Sequence, residues 1–152
     1  MSYTIDKEEI DAALFKFLKS IYLFEQREAE LFNLTWDYVY LLQLLIRQPG
    51  ICISEISKEL RVFNFETSRM IRHLEKEGLV RRENSNIDKR VVKIYITETG
   101  LDKVNAIEAY NYETVKKNFD KFPEETIHML LQAISQLDVL LNLQDINRKQ
   151  LF

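Results

Sequence analysis

Three glycines, two prolines, one cysteine and two histidines are all that the 152 residues hold of these types. So few turn formers exclude an all-β fold and a glycine-rich phosphate loop, and favour long helices with few breaks. The single thiol, Cys52, excludes an internal disulfide framework and suits a reducing cytoplasm. His73 and His128 stand alone, with no metal-ligand spacing around either and no nucleophile placed beside them, so no cofactor or metal is expected and an enzyme is disfavoured. No apolar run approaches the roughly 20 residues of a membrane span. The opening MSYTIDKEEIDAALF is acidic and lacks a small-residue cleavage site, so neither a signal nor a transit peptide is expected.

What is present is charge, unevenly placed. The chain carries 21 Lys and Arg against 24 Asp and Glu, a net of −3. Residues 58–93 hold ten of the basic and six of the acidic residues, a net of +4. The remainder holds eleven and eighteen, a net of −7. A basic centre between acidic ends is the pattern expected when only the middle meets phosphate.

Apolar spacing divides the chain into elements. Ile10, Leu14, Phe17, Leu18, Ile21 and Phe24 recur at helical period within residues 6–32. Thr35 is placed to cap a second helix, which carries Val39, Leu41, Leu42, Leu45 and Ile46 and stops at Gln48-Pro49-Gly50. After a strand stub at residues 51–53, a short helix over 54–60 points Ile56 and Leu60 inward. A tight link follows, Arg61-Val62-Phe63, and Asn64 is read as the cap of a helix over 65–77 ending at Gly78. Two short helices so linked are a helix-turn-helix. Strands over 79–83 and 91–96 flank a loop over 84–90. Thr97 caps a helix over about 98–120, and Pro123 opens a last one over about 123–143. That last helix aligns Ile127, Leu130, Leu131, Ile134, Leu137 and Leu141 on one stripe. Two long amphipathic helices at opposite ends need a partner for their apolar faces, and pairing between two chains as a homodimer is the reading adopted. The fold class is therefore mainly α with a small β-hairpin wing. A winged helix-turn-helix lobe spans 34–100, and both termini, 1–33 and 101–152, supply a helical dimerisation region.

The helix over 65–77 has two faces. Thr67, Met70, Ile71 and Leu74 pack inward, while Phe65, Arg69, Arg72 and Lys76 share the other side with Ser68 and His73 at its margins. Arginine pairs with guanine O6 and N7 in the major groove, and of the DNA-binding set, which also includes Asn64, the side chains near the helix start, Phe65, Glu66 and Arg69, would reach deepest. Phe65 either meets a thymine methyl or folds back onto Phe63 or Val62, the latter preferred. Glu66 either accepts from a cytosine N4 or serves as a first-turn acid. At the hairpin tip Lys89 and Arg90 can reach a neighbouring minor groove, with Asp88 holding Arg90 in place. A plain solvated face and a plain polar turn are the bland alternatives.

These segments resemble the MarR family of bacterial regulators, best over residues 34–100. LTWDYVYLLQLL is similar to the family's second helix. HLEKEGLVRRE (73–83), Asp88-Lys89-Arg90 and Ile96-Thr97-Glu98-Thr99-Gly100 follow in family order and spacing. The resemblance implies a homodimer with interlocked terminal helices on a pseudo-palindromic double-stranded operator, recognition helix in the major groove and Arg90 in the minor groove. It also implies a repressor released by a small aromatic or lipophilic ligand. Trp36, Tyr40 and Tyr110 are candidate pocket residues, although aromatics at helical spacing are more often core. The chain departs from the family at Arg61 and Phe63, where glycine and a small hydroxyl residue are common, and at Cys52, where threonine often caps the third helix. Cys52 is read as a small buried filler rather than a redox switch. The rival function is a winged-helix protein–protein adaptor, disfavoured because the exposed Arg69, Arg72 and Arg90 are retained.

Overall fold

The computed structural model describes residues 3–144 and divides the chain into two compact units, Met1–Tyr40 and Leu41–Phe152. The first unit is mostly one helix, α1 (Lys7–Phe32), which starts where the Asp6 side chain accepts from Glu9 N–H at 2.8 Å and stops at Asn33 in the left-handed region, φ 54°. Its apolar residues are largely uncovered, with Phe15 72% exposed and Leu18, Ile21, Tyr22 and Leu23 exposed as well. The first turn of α2 (Trp36–Arg47) also belongs to this unit. Thr35 precedes it as expected, and its hydroxyl bonds to the Asp37 carboxylate.

The second unit carries the rest of α2, β1 (Ile51–Cys52), α3 (Ile53–Leu60), α4 (Asn64–Lys76), β2 (Val80–Asn84), β3 (Val92–Ile96), α5 (Glu98–Lys116), a single 3₁₀ turn (Phe119–Lys121), α6 (Glu124–Ser135) and the short α7 (Leu137–Leu140). Leu41, Leu42, Leu45, Ile56, Ile71, Leu74, Ile94, Val104 and Ile107 are almost wholly buried and make its core. Residues 51–52, read as a stub, form the third strand of an antiparallel sheet ordered β1-β3-β2, pairing Ile51 with Ile94 and Cys52 with Lys93. Gly50 precedes it at φ 79°, where an added Cβ would lie 2.8 Å from the Tyr95 hydroxyl oxygen. In β3, Ile94 is buried between half-buried Val92 and Ile96.

Several sequence-based readings change. Asn64 does not cap α4. Phe63 occupies that position in extended conformation, φ −75° and ψ 155°, and Asn64 is the first helical residue. The helix ends at Lys76, one residue earlier than read, before Gly78 with φ 74°. Leu60 is half-buried, Ile56 alone of the pair being fully inside. The helix expected over 98–120 stops at Lys116, where Asn118 turns its side-chain amide back to Thr114 O at 2.8 Å. The last helix is two, broken at Gln136. Pro123 sits at the N-cap of α6 with φ −58°. Neither α6 nor α7 buries a residue, and Leu130, Leu131 and Ile134 stay exposed, Ile134 by 62%.

Candidate nucleic-acid interface

Helix α3 is built to hold α4. Cys52 stands at its N-cap, and the Glu55 carboxylate accepts from the Cys52 N–H at 3.1 Å, completing one half of a capping box. The same bond, with a lesser contribution from Lys58, holds the Glu55 carboxyl below its ordinary value of 4.5. Cys52 is half-buried, with Sγ 3.1 Å from Ser54 Oγ, so it is a cap residue and not the core filler expected. Between the helices Ser57 Oγ lies 2.7 Å from Thr67 Oγ1, both side chains buried, while Ser57 also donates to Ile53 O at 2.8 Å. This hydroxyl pair was missed by sequence reasoning beyond placing Thr67 inward. A small hydroxyl residue at inward positions of both short helices is the signal that could have found it.

The turn between them passes through Arg61 at φ 56°, a left-handed conformation that favours glycine. Its guanidinium donates to the carbonyls of Leu143 and Gln144 at 3.1 and 3.2 Å, a contact no sequence pattern announces. At the head of α4 the Glu66 carboxylate accepts from Phe63 N–H at 2.8 Å. Of the two readings left open for Glu66, the structure supports a first-turn acid. Its carboxylate is engaged by the backbone at the helix start.

The inward face of α4 is as read: Thr67, Met70, Ile71 and Leu74 are buried. Arg69, Arg72, His73 and Lys76 are exposed, with Ser68 and Glu66 half-buried and Asn64 exposed. Phe65, Arg69, Arg72 and Lys76 follow one another by four, three and four positions, so they form one stripe about 16 Å long. Among the described residues Arg69, Arg72, Lys76 and Lys89 have no ion-pair partner. Nearby Arg82 pairs with Glu75 at 3.5 Å and Arg81 with Glu83 at 2.8 Å, Arg81 also lying over the Tyr95 ring at 4.4 Å. Phe65 does not bury as expected. It stacks on Phe63 with ring centroids 5.8 Å apart and planes 10° from parallel, and both stay exposed, by 68% and 55%.

The hairpin β2–β3 projects a loop whose tip, Ile87, is 98% exposed. Ser85 N–H donates to Val91 O at 2.9 Å and closes the loop. Asp88 accepts from both the backbone N–H and the Nε of Arg90, at 3.0 and 3.2 Å, while the Arg90 side chain remains 92% exposed. Asp88 thus contacts both the backbone and one edge of the guanidinium of Arg90, the pairing expected of it. The hairpin is anchored by Thr97, which donates to Gly78 O at 2.6 Å and accepts from Gly100 N–H at 3.1 Å. Gly100 is obligatory there, since a Cβ would fall 2.2 Å from Leu79 O.

Trp36 is exposed and Tyr40 half-buried in the first unit, and Tyr110 is half-buried on α5 of the second. Among the described residues no group of three or more His, Cys, Asp or Glu could hold a metal ion, and no helix is long and apolar enough to cross a membrane.

Against known proteins, the MarR family model matches residues 34–92, the segment that builds these surfaces. The uncharacterised HTH-type transcriptional regulator YwhA of Bacillus subtilis strain 168 is 25% identical over 128 residues, covering 84% of this chain and 91% of its own. The crystal structure of MarR superposes with a TM-score of 0.66 at 25% identity, covering 84% of this chain and 93% of that one. Streptococcus pneumoniae FabT, solved in complex with DNA, superposes with a TM-score of 0.74 at 21% identity over 92% of this chain and 100% of its own, a likeness of fold. The lobe over residues 34–92 is thus similar in sequence to the MarR family of transcription regulators, and the chain resembles members of that family in fold nearly throughout.

Proposed function

We propose that the protein binds double-stranded DNA as a homodimer, with α4 in the major groove and the Arg90 wing in the adjacent minor groove. The observation that carries this reading is the α4 stripe, where Arg69, Arg72 and Lys76 stay exposed and unpaired while neighbouring arginines of the hairpin are matched with carboxylates. A surface of unmatched cations attracts an anionic partner, and a 16 Å row of them on a helix suits a groove walled by phosphates. The fold neighbour FabT, solved with DNA, supports the docking by analogy. Asn64, Ser68 and His73 flank the stripe and complete the groove-facing set. Lys89 adds a phosphate contact, and Asp88 positions Arg90. The site implies a cytoplasmic location.

A homodimer of this kind reads a pseudo-palindromic operator with half-sites about 34 Å apart. The domain reading remains a lobe over 34–100 served by helices from both termini. Repression, and release by a small aromatic or lipophilic effector met by Trp36, Tyr40 or Tyr110, complete the proposal from the family resemblance. A protein–protein adaptor would need an acidic partner surface to meet the same row of cations, whereas the phosphates of a duplex meet it without any further condition.

The test is a gel-shift titration against the DNA upstream of the chain's own gene, repeated at several salt concentrations. Arg90→Ala is expected to weaken binding to all sequences and lower the salt slope by about one per site. Arg69→Ala is expected to relax preference at one base position in each half-site, at about 1–3 kcal/mol. Full affinity in both variants would overturn the docking. Aromatic acids added to the same titration test release.

A further inference from the structure

We propose that Phe63 and Phe65 form an aromatic wedge that reads the C5 methyl of thymine in the major groove. The inference deepens the DNA-binding reading and rests on it. Two stacked phenylalanines, 68% and 55% exposed, stand in water at the start of the helix that carries the cationic stripe. Single exposed apolar residues are ordinary, but two large rings stacked side by side on a polar helix start make a contiguous patch of the kind that marks a contact surface. The neighbours decide which. Phe65 is the N-terminal member of the stripe continued by Arg69, Arg72 and Lys76, and Asn64 beside it is exposed. An apolar partner protein would have to strip water from these unpaired cations at the same time as it covered the rings. A DNA groove does neither harm. It offers phosphates to the cations and, among the base edges of the major groove, the thymine methyl as an apolar group.

The local construction supports a fixed wedge rather than two loose side chains. Phe63 is held at the N-cap, where its N–H donates to Glu66. Its ring stacks on Phe65, which fixes both near the deepest point a docked recognition helix reaches. The carboxylate of Glu66 is already engaged at the helix start, which leaves the aromatic pair as the apolar base-reading group of this first turn, beside the polar Asn64.

The experiment begins with duplexes selected from a random library by the wild-type protein. Each thymine of a selected site is then replaced in turn by deoxyuridine, which removes only the methyl group. We expect at least one position per half-site where the replacement weakens wild-type binding about fourfold, the equilibrium equivalent of one buried methyl. The Phe63→Ala/Phe65→Ala variant should bind thymine and deoxyuridine duplexes alike at that position. Selective wild-type binding that is indifferent to deoxyuridine everywhere would overturn the wedge and leave the DNA-binding reading intact. Failure to bind any duplex would overturn that reading itself. A double variant that sediments as monomer where wild type is a dimer would assign the rings to a second copy of the chain, and would also overturn the wedge.

Discussion

At the residue scale α4 is tied to α3 by two buried hydroxyls. Ser57 and Thr67 are buried and share a 2.7 Å hydrogen bond across the α3–α4 contact. Their loss is not symmetric. Ser57 also donates to Ile53 O at 2.8 Å, so Thr67→Val takes away one bond and leaves Ser57 with a partner. Ser57→Ala instead leaves the buried Thr67 hydroxyl without its Ser57 acceptor, and an unsatisfied buried polar group costs about 1–3 kcal/mol against about 1 for a lost bond. Urea unfolding should therefore rank Ser57→Ala as the more destabilising change. Equal midpoints would show that water or repacking satisfies Thr67. Arg61 shows the opposite balance. Glycine would relieve its left-handed backbone, but the two bonds from its guanidinium to the carbonyls of Leu143 and Gln144 would go with the side chain.

At the scale of elements, what the sequence showed and what it hid divide along a physical line. Helical and strand periods report which face is buried, so the inward face of α4, the hairpin and the Thr97 cap were legible from residue spacing alone. Caps and breaks depend on where a backbone bond finds its partner. Asn64 looked like a cap by residue type, but the Glu66 carboxylate bonds the N–H of Phe63 and moves the helix start one residue back. The break at Gln136 interrupts an apolar stripe that is continuous in sequence, and spacing carries no trace of it. The fate of Phe65 was hidden for a related reason, since stacking on Phe63 without burial is a matter of geometry between two side chains. The same kind of bond makes α3 sensitive to acid. The Glu55 carboxyl is held below 4.5 by the Cys52 N–H, so its bond contributes stability above the unfolded value, and that contribution is lost as the pH falls through the lower folded value. Glu55→Gln should flatten the loss of stability measured between about pH 5 and pH 3, compared with wild type. An unchanged acid limb would show that the box adds nothing to the folded state.

At the scale of the whole molecule, both ends of the chain carry apolar surface that the chain itself leaves open. In the first unit Phe15, Leu18, Tyr22 and Leu23 of α1 are exposed. In the second, Leu130, Leu131 and Ile134 of α6 and Val139 and Leu140 of α7 are exposed, although the helices are well formed and amphipathic. Scattered apolar residues on a surface are ordinary, but ridges of them along helices at both ends are what an interface between copies requires. Ile134→Glu with Leu130→Glu separates folding from assembly. Both residues face water in the single chain, so the change should cost its fold little, within about 1 kcal/mol for two surface positions. In an interface the same two carboxylates would lose their water without gaining a partner. We expect wild type to sediment as a dimer at micromolar concentration, and the double variant as a folded monomer with its helical circular dichroism retained. The variant should also lose the affinity that comes from two joined half-sites, while keeping weak binding to a single one. A variant that stays dimeric would place the interface elsewhere and detach the terminal helices from the operator's two-fold symmetry.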